Sequence, residues 1–223
     1  PHSSDMIDNS VNSHVGYAFR WDESTAPALL YRVLAHGIEA RIAAKSFSVK
    51  THNNEIEQFA AGTVIIPAGL RHSHNCEDKL RQLAAHLNIQ LFALASGLTP
   101  QGIDVGSPSM QVASLPNVML LGGLGMSQYE VGEIWHYLDT RLTVPTTIVD
   151  QDRFGRVNLS DFTHIIIASG RYQGLSDKDL SALKAWVRSG GVVIGTKRGA
   201  KFLADNGLLE ASVLSKSAID EQF

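Results

Sequence analysis

The apolar residues of this chain fall into two patterns. Short, almost continuous runs of aliphatic and β-branched residues occur at Thr63-Val64-Ile65-Ile66, Val118-Met119-Leu120-Leu121, Ile165-Ile166-Ile167-Ala168 and Val192-Val193-Ile194. Each is too short for a helix and is bounded by Gly, Pro, Asn or His, which marks a buried strand. Residues 15–21, 39–49, 90–95 and 146–149 also read as strands. Other segments carry apolar residues at helical spacing. Leu29, Leu30, Val33 and Leu34 predict a helix over 28–36, with Pro27 suited to its first turn and Gly37 to its stop. Leu80, Leu83, Ala84 and Leu87 predict one over 76–87, capped by Asn75. Val131, Ile134, Trp135 and Leu138 predict a third, opened by Ser127-x-x-Glu130 with the spacing of a capping box. Leu180, Leu183, Trp186 and Val187 predict a fourth, capped by Ser176 and closed by Gly190-Gly191. Trp135 and Trp186 sit at core spacing in these stripes, and 154–162 reads as a loop or short helix.

The order of these elements suggests an organisation. Residues 1–14 are a polar lead-in. Residues 96–114 form a long Gly-, Pro- and Ser-rich connection without periodicity of its own, which places a boundary between an α/β half at 15–114 and a second at 115–223. In the second half the order strand, helix, strand, strand, helix, strand, with near-continuous Val/Ile runs, predicts a parallel sheet covered on both faces. The expected fold is a doubly wound, mostly parallel α/β sheet of the flavodoxin-like type, preceded by a smaller α/β half.

Composition narrows the function. The 223 residues are 44% hydrophobic and 18% charged with a formal net charge of −3, as in an ordinary soluble globular protein. No Lys/Arg stripe points to nucleic acid. The longest apolar runs fall far short of the roughly 18 residues of a membrane span. A single cysteine, Cys76, excludes an internal disulfide and a multi-cysteine zinc site, and no base or acid partner in the pattern supports it as a nucleophile. The chain opens Pro1-His2-Ser3-Ser4 without an initiator Met or signal peptide and ends without a closing element, so a segment of a longer protein is expected.

The chemistry centres on Gly195-Thr196-Lys197-Arg198-Gly199, at the end of the Val192-Val193-Ile194 run. Gly-x-Nuc-x-Gly between a strand and a helix outlines a nucleophile elbow, where the central residue is held exposed on a strained turn. Here that residue is Lys197, which needs a strongly lowered pKa to attack, and nothing in the run would desolvate it. Open parallel sheets bind ligands at the carboxyl ends of their strands, and helix amino ends favour anions. Gly122, Gly123, Ser127, Gly170, Arg171, Tyr172, Thr196, Lys197 and Arg198 come from such ends and are candidates for a crevice taking a small anion or a carboxylate-bearing peptide. The opposite reading is a vestigial crevice with solvated charges. Glu130 and Glu133, in a first helical turn, read as structural.

The run from Ile165 to Gly199 resembles a class I glutamine-amidotransferase-like domain. More specifically, Gly125-x-Ser127-x-Tyr129-Glu130-x-Gly132-Glu133-x-Trp135-x-x-Leu138-Asp139, followed by Val144-Pro145, resembles the carboxy-terminal region of large bacterial zinc carboxypeptidases of the M14 type. Tyr17-Ala18, Ala28-Leu29-x-Tyr31-Arg32-x-Leu34, Gly62-Thr63 and Gly97-Leu98-Thr99-Pro100-x-Gly102 extend the similarity over most of the chain. The resemblance implies an accessory domain that follows a zinc peptidase domain in an exported, periplasmic or secreted protein hydrolysing peptide carboxyl ends. Zinc and its ligands would belong to that upstream domain, which is the implied partner. Active amidotransferases carry Cys at the elbow with a later His and acid. Lys197 stands there instead, and no His follows Leu203, so this segment is expected to be non-catalytic. The enzymatic alternative is a degenerate hydrolase or transferase working around Lys197.

His72-Ser73-His74-Asn75-Cys76-Glu77 is a competing signal. His74 and Glu77 have the His-x-x-Glu spacing of zinc ligands, with His72 a further donor. The other reading is an exposed polar turn leading into the next helix, since nine His in the chain make such spacing unsurprising.

Overall fold

The computed structural model describes residues 15–68 and 76–214. The lead-in, Asn75, His72 and His74 lie outside the described residues. The chain divides into two compact units, Pro1–Leu115 and Pro116–Phe223.

In the first unit β1 (Gly16–Phe19) pairs antiparallel with β5 (Val64–Pro67) and β6 (Phe92–Leu94), and β2 (Arg41–Ala43) pairs antiparallel with β5 and β8 (Met110–Val112), giving the order β6-β1-β5-β2-β8. A second antiparallel sheet has the order β4-β3-β7, from Ile56–Phe59, Phe47–Lys50 and Gln101–Gly102. Helices α1 (Ala26–Ala35) and α2 (Cys76–Leu87) cover one face of the larger sheet. There Tyr17, Phe19, Val64 and Ile66 pack with Leu29, Val33, Leu80 and Ala84. The alternate positions Ala18 and Ile65 turn to the other face and pack with Phe47, Val49, Phe59 and Leu94. This explains the unbroken apolar run at Val64-Ile65-Ile66. A strand sends alternate side chains to opposite faces, and both faces of β5 are buried. The first unit is thus an α/β half, as expected, with antiparallel sheets, and the continuous burial arises from two covered faces of its larger sheet. The strand expected over 39–49 is two strands belonging to different sheets, broken at residues 44–46. The connection over 96–114 is not featureless: β7 and β8 within it pair with β3 and β2.

The second unit holds a parallel sheet, β9 (Val118–Gly122), β10 (Thr146–Asp150), β11 (His164–Ile167) and β12 (Val192–Gly195), in the order β10-β9-β11-β12. All of β9 is buried, and so are Ile165, Ile166 and Ile167 of β11. At the edges, Ile148, Val192 and Ile194 are exposed, so burial on both faces holds for the centre of the sheet and not for its margins. Helix α3 (Gln128–His136) packs over β9. It buries Val131, but Trp135 is 39% exposed, contrary to its reading as a core residue. The apolar stripe outruns the sheet it packs on, and after His136 the helix widens into a π-turn over Tyr137–Arg141, which shifts the register of the next residues. Two 3-10 turns, Gln151–Arg156 and Leu159–Asp161, carry the chain from β10 to β11. Helix α4 (Asp177–Arg188) opens with a complete capping box, Ser176 with Asp179, and buries Leu183 and Trp186. Gly191 lies under the Trp186 ring, where a Cβ would come within 2.3 Å of Cε2. Helix α5 (Arg198–Asp205) follows β12 directly.

Candidate functional site at the carboxyl ends of the parallel strands

The turn between β12 and α5 has the geometry of an elbow. Lys197 sits at φ 47° and ψ −110°, a conformation that non-glycine residues seldom adopt. The flanking glycines are there for space. A Cβ on Gly195 would lie 2.7 Å from the Ala200 nitrogen, and one on Gly199 would lie 2.1 Å from the Ile167 carbonyl oxygen. Gly195 thus lets α5 start against the strand end, and Gly199 lets it dock on the neighbouring strand β11. The Thr196 amide donates to the Ile167 carbonyl at 3.1 Å, and the Gly199 amide to the Thr196 carbonyl at 2.7 Å, which closes the turn.

Beneath the elbow lies Glu130, only 7% exposed. Its Oε1 accepts the Thr196 hydroxyl and, at 3.3 Å, the Ser169 amide; Oε2 is 3.5 Å from Lys197 Nζ. Burial pushes this carboxyl up, but the Thr196 hydroxyl, the Ser169 amide and the Lys197 ammonium together outweigh it and hold Glu130 below the usual carboxylate range. The capping box expected at Ser127 and Glu130 is therefore only half made. Ser127 Oγ accepts from the Glu130 amide at 3.5 Å, while the carboxylate is turned to the elbow and the Ser127 amide donates to the Ser169 carbonyl at 2.8 Å. Tyr172 closes another side. Its hydroxyl donates to the Ala168 carbonyl at 2.7 Å and its ring lies against Phe202 of α5, centroids 4.1 Å apart. Burial, and then the Glu130 carboxylate, push the Tyr172 phenol up to about 12.

The residues expected to share one crevice are spread over three places. Ser127, Tyr172, Thr196, Lys197 and Arg198 gather with Glu130 around the elbow. Gly122 and Gly123 instead face β10, where added Cβ atoms would meet Ile148 Cγ2 at 2.7 Å and Asp150 Oδ1 at 2.2 Å. Arg171 lines an open cleft of about 310 Å³ together with Leu124, Gly125, Gln151, Asp152 and Gln173. This cleft is at the ends of β9, β10 and β11, where the strand order reverses about β9. That is the position at which open α/β sheets bind ligands. Its floor is Gln151, 2% exposed, which sequence reading passed over. Gln151 Nε2 donates to the Leu124 carbonyl and, at 3.2 Å, to the Arg171 carbonyl, and its Oε1 accepts the Gly174 amide at 3.1 Å. One amide thereby ties three loops together. Only its place directly after a strand end hinted at this.

In chemical terms the elbow presents an ion pair and not a nucleophile with its base. Lys197 is 74% exposed at its side chain, and its carboxylate neighbour is already engaged by Thr196 and Ser169. In the first unit Glu77 accepts from the Tyr17 hydroxyl and pairs with Arg81 at 2.7 Å. Among the described residues, no group of three or more His, Cys, Asp or Glu is placed to hold a metal ion, and no helix is long and apolar enough to cross a membrane.

No family model, curated protein or solved structure matches this chain.

Proposed function

We propose that the second unit is a glutamine-amidotransferase-like module of the flavodoxin-like type that has given up catalysis and serves as an accessory domain to a zinc carboxypeptidase domain in the same polypeptide. The observation that carries this reading is the elbow itself. The strained turn and both space-giving glycines are present, yet the residue at its apex is a lysine paired to a buried carboxylate. The sequence resemblance supplies the peptidase context, the exported location and the zinc, which the upstream domain would hold. The module's task is then to support the peptidase domain, to recruit its substrate or to mediate assembly.

The reading is tested in the longer polypeptide carrying both parts. Lys197→Ala should leave kcat for release of carboxy-terminal residues unchanged, while deletion of residues 115–223 should raise KM or impair assembly. Hydrolysis of glutamine or simple esters by this chain alone, lost in Lys197→Ala, would overturn it.

A second reading is supported by the backbone at Lys197. Strained residues cluster at ligand sites, and this one presents an exposed ammonium next to Arg198. A small anion or a peptide carboxylate is the matching ligand. Calorimetric titration with phosphate, acetate and short peptides decides it, and heat that disappears in Lys197→Ala is the expected signature.

A further inference from the structure

The cleft at the ends of β9, β10 and β11 is used by neither reading of the elbow, yet it is built with care. Burying an amide side chain is costly unless its hydrogen bonds are made. Gln151 makes three, to Leu124 of the loop after β9 and to Arg171 and Gly174 of the loop after β11. Two glycines let these loops come down on it. A Cβ on Gly125 would lie 3.1 Å from Gln151 Nε2, and one on Gly174 would lie 2.6 Å from Gln151 Cγ. Gly174 has no positive φ to require glycine, so its lack of a side chain is a matter of space alone.

The walls held in this way carry one charge of each sign. Arg171 comes from the loop after β11 and Asp152 from the turn after β10, and both are exposed. Asp152 Oδ1 stands 2.3 Å from where a Gly174 Cβ would be, so its carboxylate rests on the opposite loop. Capping does not occupy it, because the Asp150 carboxylate caps that turn by accepting the Asp152 amide at 3.2 Å. Among the described residues no ion pair or side-chain hydrogen bond engages either the Asp152 carboxylate or the Arg171 guanidinium. Two opposite charges thus line one cleft without neutralising each other. Leu124, 82% exposed, adds an apolar lip.

The lining tells which ligand matches. A metal cation would find a single carboxylate and a repelling arginine, far from the oxygen cage that a hard cation needs. A phosphate or a simple carboxylate would pair with Arg171 and be opposed by Asp152. A neutral molecule would leave both charges to water. A molecule with a carboxylate and an ammonium satisfies both, its carboxylate taking the planar fork of Arg171 and its ammonium the Asp152 carboxylate. The cleft's volume of about 310 Å³ lies at the lower end of ligand sites, roughly 300–1,000 Å³, which limits the molecule to about one or two residues.

We propose that the Arg171–Asp152 cleft of the second unit binds a small zwitterion, a free amino acid or a dipeptide, by its carboxylate at Arg171 and its ammonium at Asp152. The proposal stands on this cleft alone and is independent of the reading given to the elbow.

Chemical-shift titration of the whole chain with glycine, leucine, lysine, ε-aminocaproate and glycylglycine is the test, with acetate and methylamine as single-charge controls. At least one zwitterion should perturb the amides of residues 124–125, 151–152 and 171–174 and bind about tenfold more tightly than either control. The best member of the panel separates a free amino acid from a dipeptide. Arg171→Gln should weaken its binding about tenfold. Asp152→Asn should bring it down to the affinity of acetate while acetate itself binds as before or better. Both variants should keep the parent's unfolding midpoint, since each removes an exposed and unpaired charge; a pair of merely structural use would lower it. Lys197→Ala should bind as the parent does. The proposal fails if no zwitterion perturbs these amides, or if acetate binds as tightly as the best zwitterion. Binding that survives Arg171→Gln and is lost in Lys197→Ala overturns it as well, by moving the ligand to the elbow.

Discussion

Glu130 Oε2 lies 3.5 Å from Lys197 Nζ, linking the first turn of α3 to the apex of the turn between β12 and α5. The pair spans the sheet from its central strand to its edge, and the carboxylate end is buried while the ammonium end faces water. This asymmetry sets what each partner does. Glu130 organises the strand ends; Lys197 is held over them.

The pH dependence of the second unit should reveal Glu130. Its folded pKa lies below the ordinary carboxyl value, so its contribution is complete above the unfolded pKa and is lost as pH falls through the folded one. Unfolding midpoints followed from neutral pH into the acid range should show this decline, and Glu130→Gln should flatten it. Glu130→Ala strands the Thr196 hydroxyl and the Ser169 amide and should cost about 2 kcal/mol at neutral pH. A Glu130→Gln profile superimposable on the parent's would show that the carboxylate is not held in this way.

Lys197 supports a prediction of sign. A non-glycine residue at φ 47° carries backbone strain, and strain of this kind costs about 1–3 kcal/mol. The exposed end of the ion pair contributes little in return. Lys197→Gly should therefore stabilise the second unit by about 1 kcal/mol after the added chain entropy of glycine, while Lys197→Ala stays near neutral. Denaturant titration of the two variants side by side is sufficient.

The elbow glycines should behave oppositely. A methyl group on Gly199 collides with the Ile167 carbonyl oxygen, which belongs to a buried central strand and cannot yield. Gly199→Ala should cost about 3 kcal/mol or more. Gly37→Ala is the control, because space around that position is open, although its positive φ carries a smaller penalty.

Gln151→Ala removes three hydrogen bonds from a buried site and should cost about 2–4 kcal/mol. Hydrogen exchange should localise the loss, with faster exchange in residues 123–127 and 170–174 and little change in α4. Uniform acceleration over the whole unit would show that Gln151 is a core residue and not a tie between loops.

In the first unit Tyr17 titrates late. Burial, reinforced by the hydrogen bond to Glu77, pushes its phenol up to about 12. The neutral phenol thus favours folding, with a contribution complete below the ordinary tyrosine pKa and lost as pH climbs towards 12. Spectrophotometric titration should find Tyr17 un-ionised where free tyrosine is half ionised, and Glu77→Gln should bring its pKa down.

Local patterns carried much of the second unit. The runs at 118–121 and 165–168 are strands because β-branched and aliphatic residues bounded by glycine and polar residues have few other ways to be buried, and the β-branched run at 192–194 forms the edge strand beside them. Ser176 caps α4 because a hydroxyl three residues before an acidic side chain satisfies the helix's free amides locally. The same local logic misplaced Trp135, since a stripe records which residues share a helix face and not how far the neighbouring sheet extends. It read the Val64-Ile65-Ile66 run as a buried strand, which it is, but could not tell that its neighbours run antiparallel.

The partners chosen across long separations were not legible in this way. Glu130 has the spacing of a cap, yet its carboxylate goes to Thr196, 66 residues away, because the parallel order brings the ends of β9, β11 and β12 side by side. Gln151 became a tie only when three strand ends converged on it. Ser48 looks like any serine in a short strand until Gln58 and Gln101 close in on both sides and leave its hydroxyl buried without a partner. Periodicity and capping act over a few residues and are written in neighbouring side chains. Which strand lies beside which, and hence which polar group meets which, depends on surfaces that meet only when the whole unit has packed.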